Sequence, residues 1–316
     1  MPVIVVTGFL GAGKTTLIRS LLDSSEGMHT AIIVNEFGEI GIDQALLSPG
    51  SDETVLLGNG CLCCRISNDL QKTCTNLLRE RTRGTVPPFE RIFLETSGLA
   101  DPTPILQTFI SDRALRDEFH LLGIIAVVDA ASFEGTVNHF QECLRQVVLA
   151  DRIVLTKSDL LSTVSVAIVS SKLQQINPSA QIRLGEHGRV EPAVMLDFDD
   201  LSARYFAIEP IHHTSGINTF SIVIDKPLKW SGFSQAMSML STLRGADLLR
   251  VKGLVNVQGS DGPVVIHLVQ HLAHPPVQLQ DWPSEDRRTI LIFIVRGMIQ
   301  SSVRNVIQSV QEAMSL

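Results

Sequence analysis

Two short runs hold the residues best equipped for chemistry. The first is Gly8-Phe9-Leu10-Gly11-Ala12-Gly13-Lys14-Thr15, followed by Thr16, and it fits G-x-x-x-x-G-K-[ST] at every fixed position. Glycines there let successive backbone N–H groups turn toward one anionic centre that a Cβ would obstruct. The Lys14 amine can then reach β- and γ-phosphates, and the Thr15 hydroxyl can hold Mg²⁺. A helix opening at Lys14 adds its positive N-terminal dipole to the same place. A nucleoside triphosphate is the expected ligand.

The second run is Gly58-Asn59-Gly60-Cys61-Leu62-Cys63-Cys64. Three thiols within four positions are too close for an ordinary structural zinc site, which draws on separated ligand pairs. The glycines and asparagine predict a tight turn that aims two or three sulfurs at one thiophilic ion, with coordination positions left open. Such a site suits reversible holding and transfer; buried or redox-active cysteines are the alternative. Cys74 and Cys143 fall at helical positions and read as core residues.

Further polar groups follow apolar runs. Glu95-Thr96-Ser97-Gly98 offers a carboxylate for the water shell of Mg²⁺, and a glycine N–H that can meet a γ-phosphate and move when it leaves. With Lys14 and Thr15, Glu95 and Gly98 are the residues expected to carry hydrolysis. Asp129, which ends GIIAVVD, competes for the acidic role or caps the next segment. In Thr156-Lys157-Ser158-Asp159 a carboxylate can accept from N1–H and N2–H₂ of guanine, while the lysine stem covers the base; a plain helix cap at Asp159 is the alternative. Glu36, Glu39 and Asp43, in NEFGEIGID, form a glycine-rich segment that reads as a switch or as an ordinary acidic loop. His212-His213 lies in a linker. His267, His271 and His274 fall at a strand end, where solvation or a second metal site would account for them, and His267 and His271 would share a face of a regular strand.

These residues need a scaffold, and the hydrophobic pattern supplies one. Short apolar strands at Val3–Thr7, Ala31–Asn35, Thr54–Leu57, Arg91–Glu95, Ile124–Asp129, Arg152–Thr156 and Gln181–Leu184 alternate with helical stretches, as in a parallel sheet with crossover helices. The helices are expected at Lys14–Leu22, Asn68–Arg83, Pro104–Ile110, Phe140–Ala150, Ser165–Ile176 and Glu191–Leu196. Ligands of such sheets lie beyond the carboxyl ends of the strands, which is where each motif falls. The pattern changes around Asp197–Ser215. Beyond it, strands at Asn218–Ile224, Leu248–Gln258, Val264–Gln270 and Ile290–Val295, with helices at Ser231–Leu243 and Ile299–Ala313, suggest a smaller α+β domain. The expected domains are 1–210 and 211–316.

The chain has 316 residues, 44% of them hydrophobic, enough for two cores. A net charge of −7 without a basic cluster argues against nucleic acid or an anionic membrane as partner. No apolar run reaches membrane-spanning length, and the phosphate-loop pattern follows the first strand too closely for a signal peptide. Five cysteines, three of them crowded together, suit a reducing cytoplasm and metal chemistry.

Taken in order, GFLGAGKTT, VNEFGEIGID, GNGCLCC, ETSGLADP and TKSD resemble the CobW-type metallochaperone GTPases, and the resemblance spans nearly the whole chain. It implies a P-loop GTPase domain with a mainly parallel sheet and a C-terminal CobW-like α+β domain. It also implies GTP hydrolysis with Mg²⁺, zinc or cobalt held by Cys61, Cys63 and Cys64, and delivery of that metal to a client metalloprotein; no side chain stands out as a water-activating base, so a slow intrinsic rate is expected. Gly8, Gly11, Ala12, Gly13, Lys14, Thr15 and Thr16 would bind phosphates, Thr15 and Glu95 would hold Mg²⁺, and Thr156, Lys157 and Asp159 would read guanine. A GTP-dependent homodimer is admitted among the partners, and the alternative function is a nucleotide-switched activator that docks its client without carrying metal. Two departures stand out: Thr156 replaces the commoner asparagine, and no histidine-rich reservoir is present. Arg65 is unusual after the cysteines.

Overall fold

Buried parallel strands are apolar throughout, and here they form the centre of the first of two units. A computed structural model describes residues 1–35, 54–56, 62–65, 70–198, 211–212, 216–270, 272–273 and 275–314. Internal contacts group Met1–Lys172 with Ala180–Phe198, and Leu173–Ser179 with the chain from Asp199 onward.

The first unit runs β1 (Pro2–Thr7), α1 (Lys14–Leu22), β2 (Thr30–Asn35), β3 (Thr54–Leu56), β4 (Leu62–Arg65), α2 (Leu70–Arg83), β5 (Arg91–Thr96), α3 (Thr103–Ser111) and α4 (Arg113–Glu118). It continues through β6 (His120–Asp129), α5 (Phe133–His139), α6 (Gln141–Leu149), β7 (Arg152–Thr156), α7 (Thr163–Ile176, of which the part from Leu173 groups with the second unit), β8 (Gln181–Leu184) and α8 (Pro192–Leu196). The sheet order is β3-β4-β2-β5-β1-β6-β7-β8. All pairs are parallel except β3 with β4. β5 and β6 flank β1 on opposite sides, so the winding changes direction there and a crevice opens beyond its carboxyl end. Val3 to Val6 are buried to 1% exposure or less, which anchors the loop that follows them. α1 buries Leu17, Ile18, Leu21 and Leu22, a stripe at helical spacing that seats it on the sheet.

The alternation expected from the sequence is therefore present, with three differences. Leu62–Arg65 is a strand rather than part of a tight turn, because its backbone pairs with β2 on one side and β3 on the other. β6 begins at His120 rather than Ile124. The short helices α4 and α5 carry too few periodic residues to show in a pattern; α4 starts where the Asp112 side chain accepts from the Leu115 N–H at 3.0 Å.

The second unit holds β9 (Ile211–His212), β10 (Ile217–Ile224), α9 (Trp230–Arg244), β11 (Arg250–Val255), β12 (Val264–Val269), β13 (Leu272–Ala273), β14 (Val277–Gln278), β15 (Thr289–Arg296) and α10 (Gln300–Ala313). Its antiparallel sheet has the order β13-β12-β11-β15-β10-β9, with β14 against β12. Phe220, Val251, Leu268 and Phe293 of the sheet pack with Phe233, Met237, Val303 and Ile307 of α9 and α10. The face expected to be shared by His267 and His271 falls in part outside the described residues. β12 ends at Val269, Gln270 takes a left-handed φ of 54°, and β13 pairs back on Leu268 and Val269. His267 lies within β12 opposite Lys252. His213, His271 and His274 are outside the described residues.

Candidate nucleotide site

β1 delivers the chain into a loop that bends where glycine permits it. A Cβ on Gly8, whose φ is 146°, would stand 2.2 Å from the Val127 carbonyl oxygen of β6, so no side chain fits. Gly11 and Gly13 are left-handed, at φ 71° and 94°. Gly13 is the N-cap of α1 and brings no side-chain acceptor to the first turn, which leaves the positive helix end for an anion. Lys14 folds back across the loop, its Nζ donating to the carbonyls of Gly8 at 2.9 Å and Phe9 at 3.3 Å.

The register that pairs Val6 with Glu95 brings the end of β5 beside the loop. There the Thr15 hydroxyl donates to Glu95 Oε1 at 2.6 Å, and Glu95 is 6% exposed. Asp129, the rival acid, is engaged elsewhere. It takes Lys157 Nζ at 2.7 Å and the Ala131 N–H at 2.9 Å. Burial alone would raise its carboxyl, but Lys157, the Ser132 hydroxyl and the Ala131 N–H outweigh it and hold the group below the usual carboxylate range. A Cβ on Gly98 would stand 2.7 Å from the backbone nitrogen of Leu10, so the loop after β5 lies directly on the phosphate loop.

At the end of β7 the Thr156 hydroxyl donates to the Ala12 carbonyl at 2.7 Å and also lies 3.1 Å from that of Val128. A threonine in the place of asparagine thus ties this strand to the phosphate loop through its own oxygen. Lys157 is left-handed, at φ 56°. Asp159 sits in a short 3₁₀ turn, its Oδ2 3.6 Å from Nδ1 of His187. His187 belongs to a turn at 186–189 closed by reciprocal Glu186–Arg189 backbone bonds of 3.0 and 2.9 Å. Ser158 Oγ donates to the Gly185 carbonyl at 3.1 Å, and a Cβ on Gly188 would stand 2.9 Å from the Thr16 methyl. Sequence reasoning did not single out this turn; its signal was the Gly185 and Gly188 pair just past β8.

Cys63 and Cys64 lie on β4, opposite Ile32 and Ile33 of β2. Cys61, Glu36, Glu39 and Asp43 are outside the described residues. Among the described residues, no group of three or more His, Cys, Asp or Glu could hold a metal ion. Cys74 and Cys143 are buried free thiols, and burial pushes the Cys143 thiol up to about 12. Native protein treated with iodoacetamide at pH 8 should leave both unmodified, and both should react after denaturation. Peptide mass mapping reads the result, and modification of either in the native state would contradict their core placement.

A glycine-lined loop between β1 and α1, in a doubly wound sheet, defines the nucleotide-binding class of P-loop GTPase folds. Residues 2–183 match the CobW/HypB/UreG nucleotide-binding domain, and residues 217–311 match the cobalamin synthesis protein cobW C-terminal domain. The zinc chaperone YjiA of Escherichia coli is 32% identical over 309 residues, covering 96% of each chain. The zinc chaperone CobW of a Sinorhizobium species is 27% identical over 343 residues, covering 96% of this chain and 95% of its own. A crystal structure of the Zn(II)-bound YjiA GTPase superposes with a TM-score of 0.78 at 30% identity, covering 98% of both chains. The chain belongs to the CobW family. Among the described residues no helix is long and apolar enough to cross a membrane.

Proposed function

We propose that this chain is a GTP-driven metallochaperone that hydrolyses GTP slowly and hands zinc or cobalt to a client metalloprotein. The observation that carries the reading is the 2.6 Å contact between the Thr15 hydroxyl and the Glu95 carboxylate at the mouth of the phosphate loop. A hydroxyl on the loop and a strand-end carboxylate are oxygen donors that suit Mg²⁺, and the loop beside them runs so close to β6 at Gly8 that no Cβ fits there. Thr15 and Glu95 would hold that ion, which when bound neutralises charge between the β- and γ-phosphates. Lys14 would leave the Gly8 and Phe9 carbonyls to meet the phosphates, backbone N–H groups of 11–16 would surround them, and the Gly98 N–H would meet the γ-phosphate. Thr156 joins base and phosphate regions, Lys157 covers the base, and Asp159 accepts from its N1–H and N2–H₂ edge.

Strand order supports a coupling to metal. Cys64 pairs with Ile33, which pairs with Leu94, the neighbour of Glu95. The cysteine strand and the γ-phosphate carboxylate are thus joined through β2, the strand that leads into Glu36, Glu39 and Asp43. Cys61, Cys63 and Cys64 are the proposed ligands, assembled when GTP orders that segment and released on hydrolysis. Differential binding is the thermodynamic requirement: metal must prefer the GTP state. The proposed setting is a reducing cytoplasm, in keeping with Cys74 and Cys143 as free thiols, and two copies could close on GTP.

Zinc titration in the presence of a non-hydrolysable GTP analogue or of GDP, with free metal set by a competing chelator, tests the scheme. Affinity is expected to be at least about tenfold higher with the analogue, a coupling of about 1.4 kcal/mol. Equal affinities would remove the coupling. A Cys61, Cys63 and Cys64 to serine triple variant that still activated its client would favour the docking activator instead.

A further inference from the structure

The loop at 97–102, which carries Gly98, is held from behind by two neighbouring residues of α6. Gln146 is 1% exposed, and its Nε2 donates to the carbonyls of Gly98 and Ala100, each at 3.1 Å. Arg145 Nη1 lies 2.6 Å from Asp101 Oδ2. The other Asp101 oxygen accepts from the Thr103 N–H at 2.9 Å and its hydroxyl at 2.6 Å, which fixes the start of α3. The residue at the head of α6, Phe140, packs its ring on Phe9 of the phosphate loop with centroids 4.7 Å apart. One helix therefore touches both loops between which a γ-phosphate would sit.

A buried carboxamide that spends both N–H groups on two carbonyls of a glycine-bearing loop restricts the torsions on the C-terminal side of that glycine. The Leu10 backbone, 2.7 Å from where a Gly98 Cβ would stand, restricts it from the other side. We infer that Gln146 and Arg145 are positioning residues that hold the Gly98 amide ready for the terminal phosphate, so that they set the preference for triphosphate over diphosphate. The inference rests on the GTPase reading above. GDP has no group at that point, so the clamp acts on GTP alone.

The test is nucleotide affinity and single-turnover hydrolysis in Gln146→Leu, which keeps volume and removes both donors, and in Arg145→Ala, at a partly exposed position where folding is safe. GDP affinity should stay within about twofold of the parent, while affinity for a non-hydrolysable GTP analogue and the hydrolysis rate should each fall about tenfold in Gln146→Leu, the scale of two lost hydrogen bonds. Arg145→Ala should shift the ratio in the same direction, and Arg145→Lys should recover part of it. Equal losses for GDP and the analogue, or no change in either variant, would overturn the inference. A parent protein that binds neither guanine nucleotide would overturn the GTPase reading instead, and is a separate result.

Discussion

Lys14→Ala is expected to lower single-turnover GTP hydrolysis by roughly 10²–10³-fold, the usual loss when one preorganised donor to developing charge is removed. The described bonds of the amine go to backbone carbonyls, those of Gly8 and Phe9. Those oxygens lie in a loop whose course is set by glycine torsions and by the close approach of Gly8 to Val127, neither of which involves the lysine. The denaturation midpoint should therefore move little while hydrolysis collapses. Phosphate release under enzyme excess reads the first quantity, and urea unfolding reads the second. A rate within threefold of the parent would mean that Lys14 does not face the reacting phosphate.

The second large effect concerns the base. Asp159→Asn should weaken GTP binding roughly 10²–10³-fold, since two hydrogen bonds to a charged acceptor are at stake, each worth about 1.5–3 kcal/mol. A carboxamide presents one donor and one acceptor, which fits the N1–H and C2 carbonyl of xanthine, so affinity should return with XTP. The exchange of preference is the telling outcome; weak binding of both nucleotides would indicate a damaged turn. His187, 3.6 Å from the Asp159 carboxylate, is the neighbour that could confuse the result. His187→Ala in the same titrations separates its contribution, and should leave the choice between GTP and XTP unchanged.

Much of this arrangement was legible in the residues. Central strands such as IVVT, IFLE and IVLT are buried on both faces, so they read as unbroken apolar runs, and each ends in a polar residue. The glycines of the phosphate loop were legible for the same reason: their torsions exclude other residues. What was not legible depends on distance along the chain. LCCR is four residues after a glycine-rich stretch, and only its pairing with β2 and β3 makes it a strand. Gln146 looks like one more polar residue of an amphipathic helix until the fold places the Gly98 carbonyl 48 positions upstream against it. Asp129 and Glu95 are both carboxylates at strand ends, and only the position of Lys157 and Thr15 separates their surroundings. β12 stops one residue short of the expected Val264–Gln270, because Gln270, left-handed at φ 54°, leaves the strand.

The Thr156 hydroxyl, bonded to the Ala12 carbonyl at 2.7 Å, would make one gauge of the proposed base and phosphate subsites. A nucleotide that matches the span of the gauge gains the second contact at the high effective concentration created by the first. Guanosine and inorganic triphosphate supplied as separate molecules forgo that advantage, since each must surrender its own translational freedom. Recognition by the proposed site would then reside in the length of the ligand as much as in either end of it, with a single hydroxyl on β7 setting the scale of the measurement.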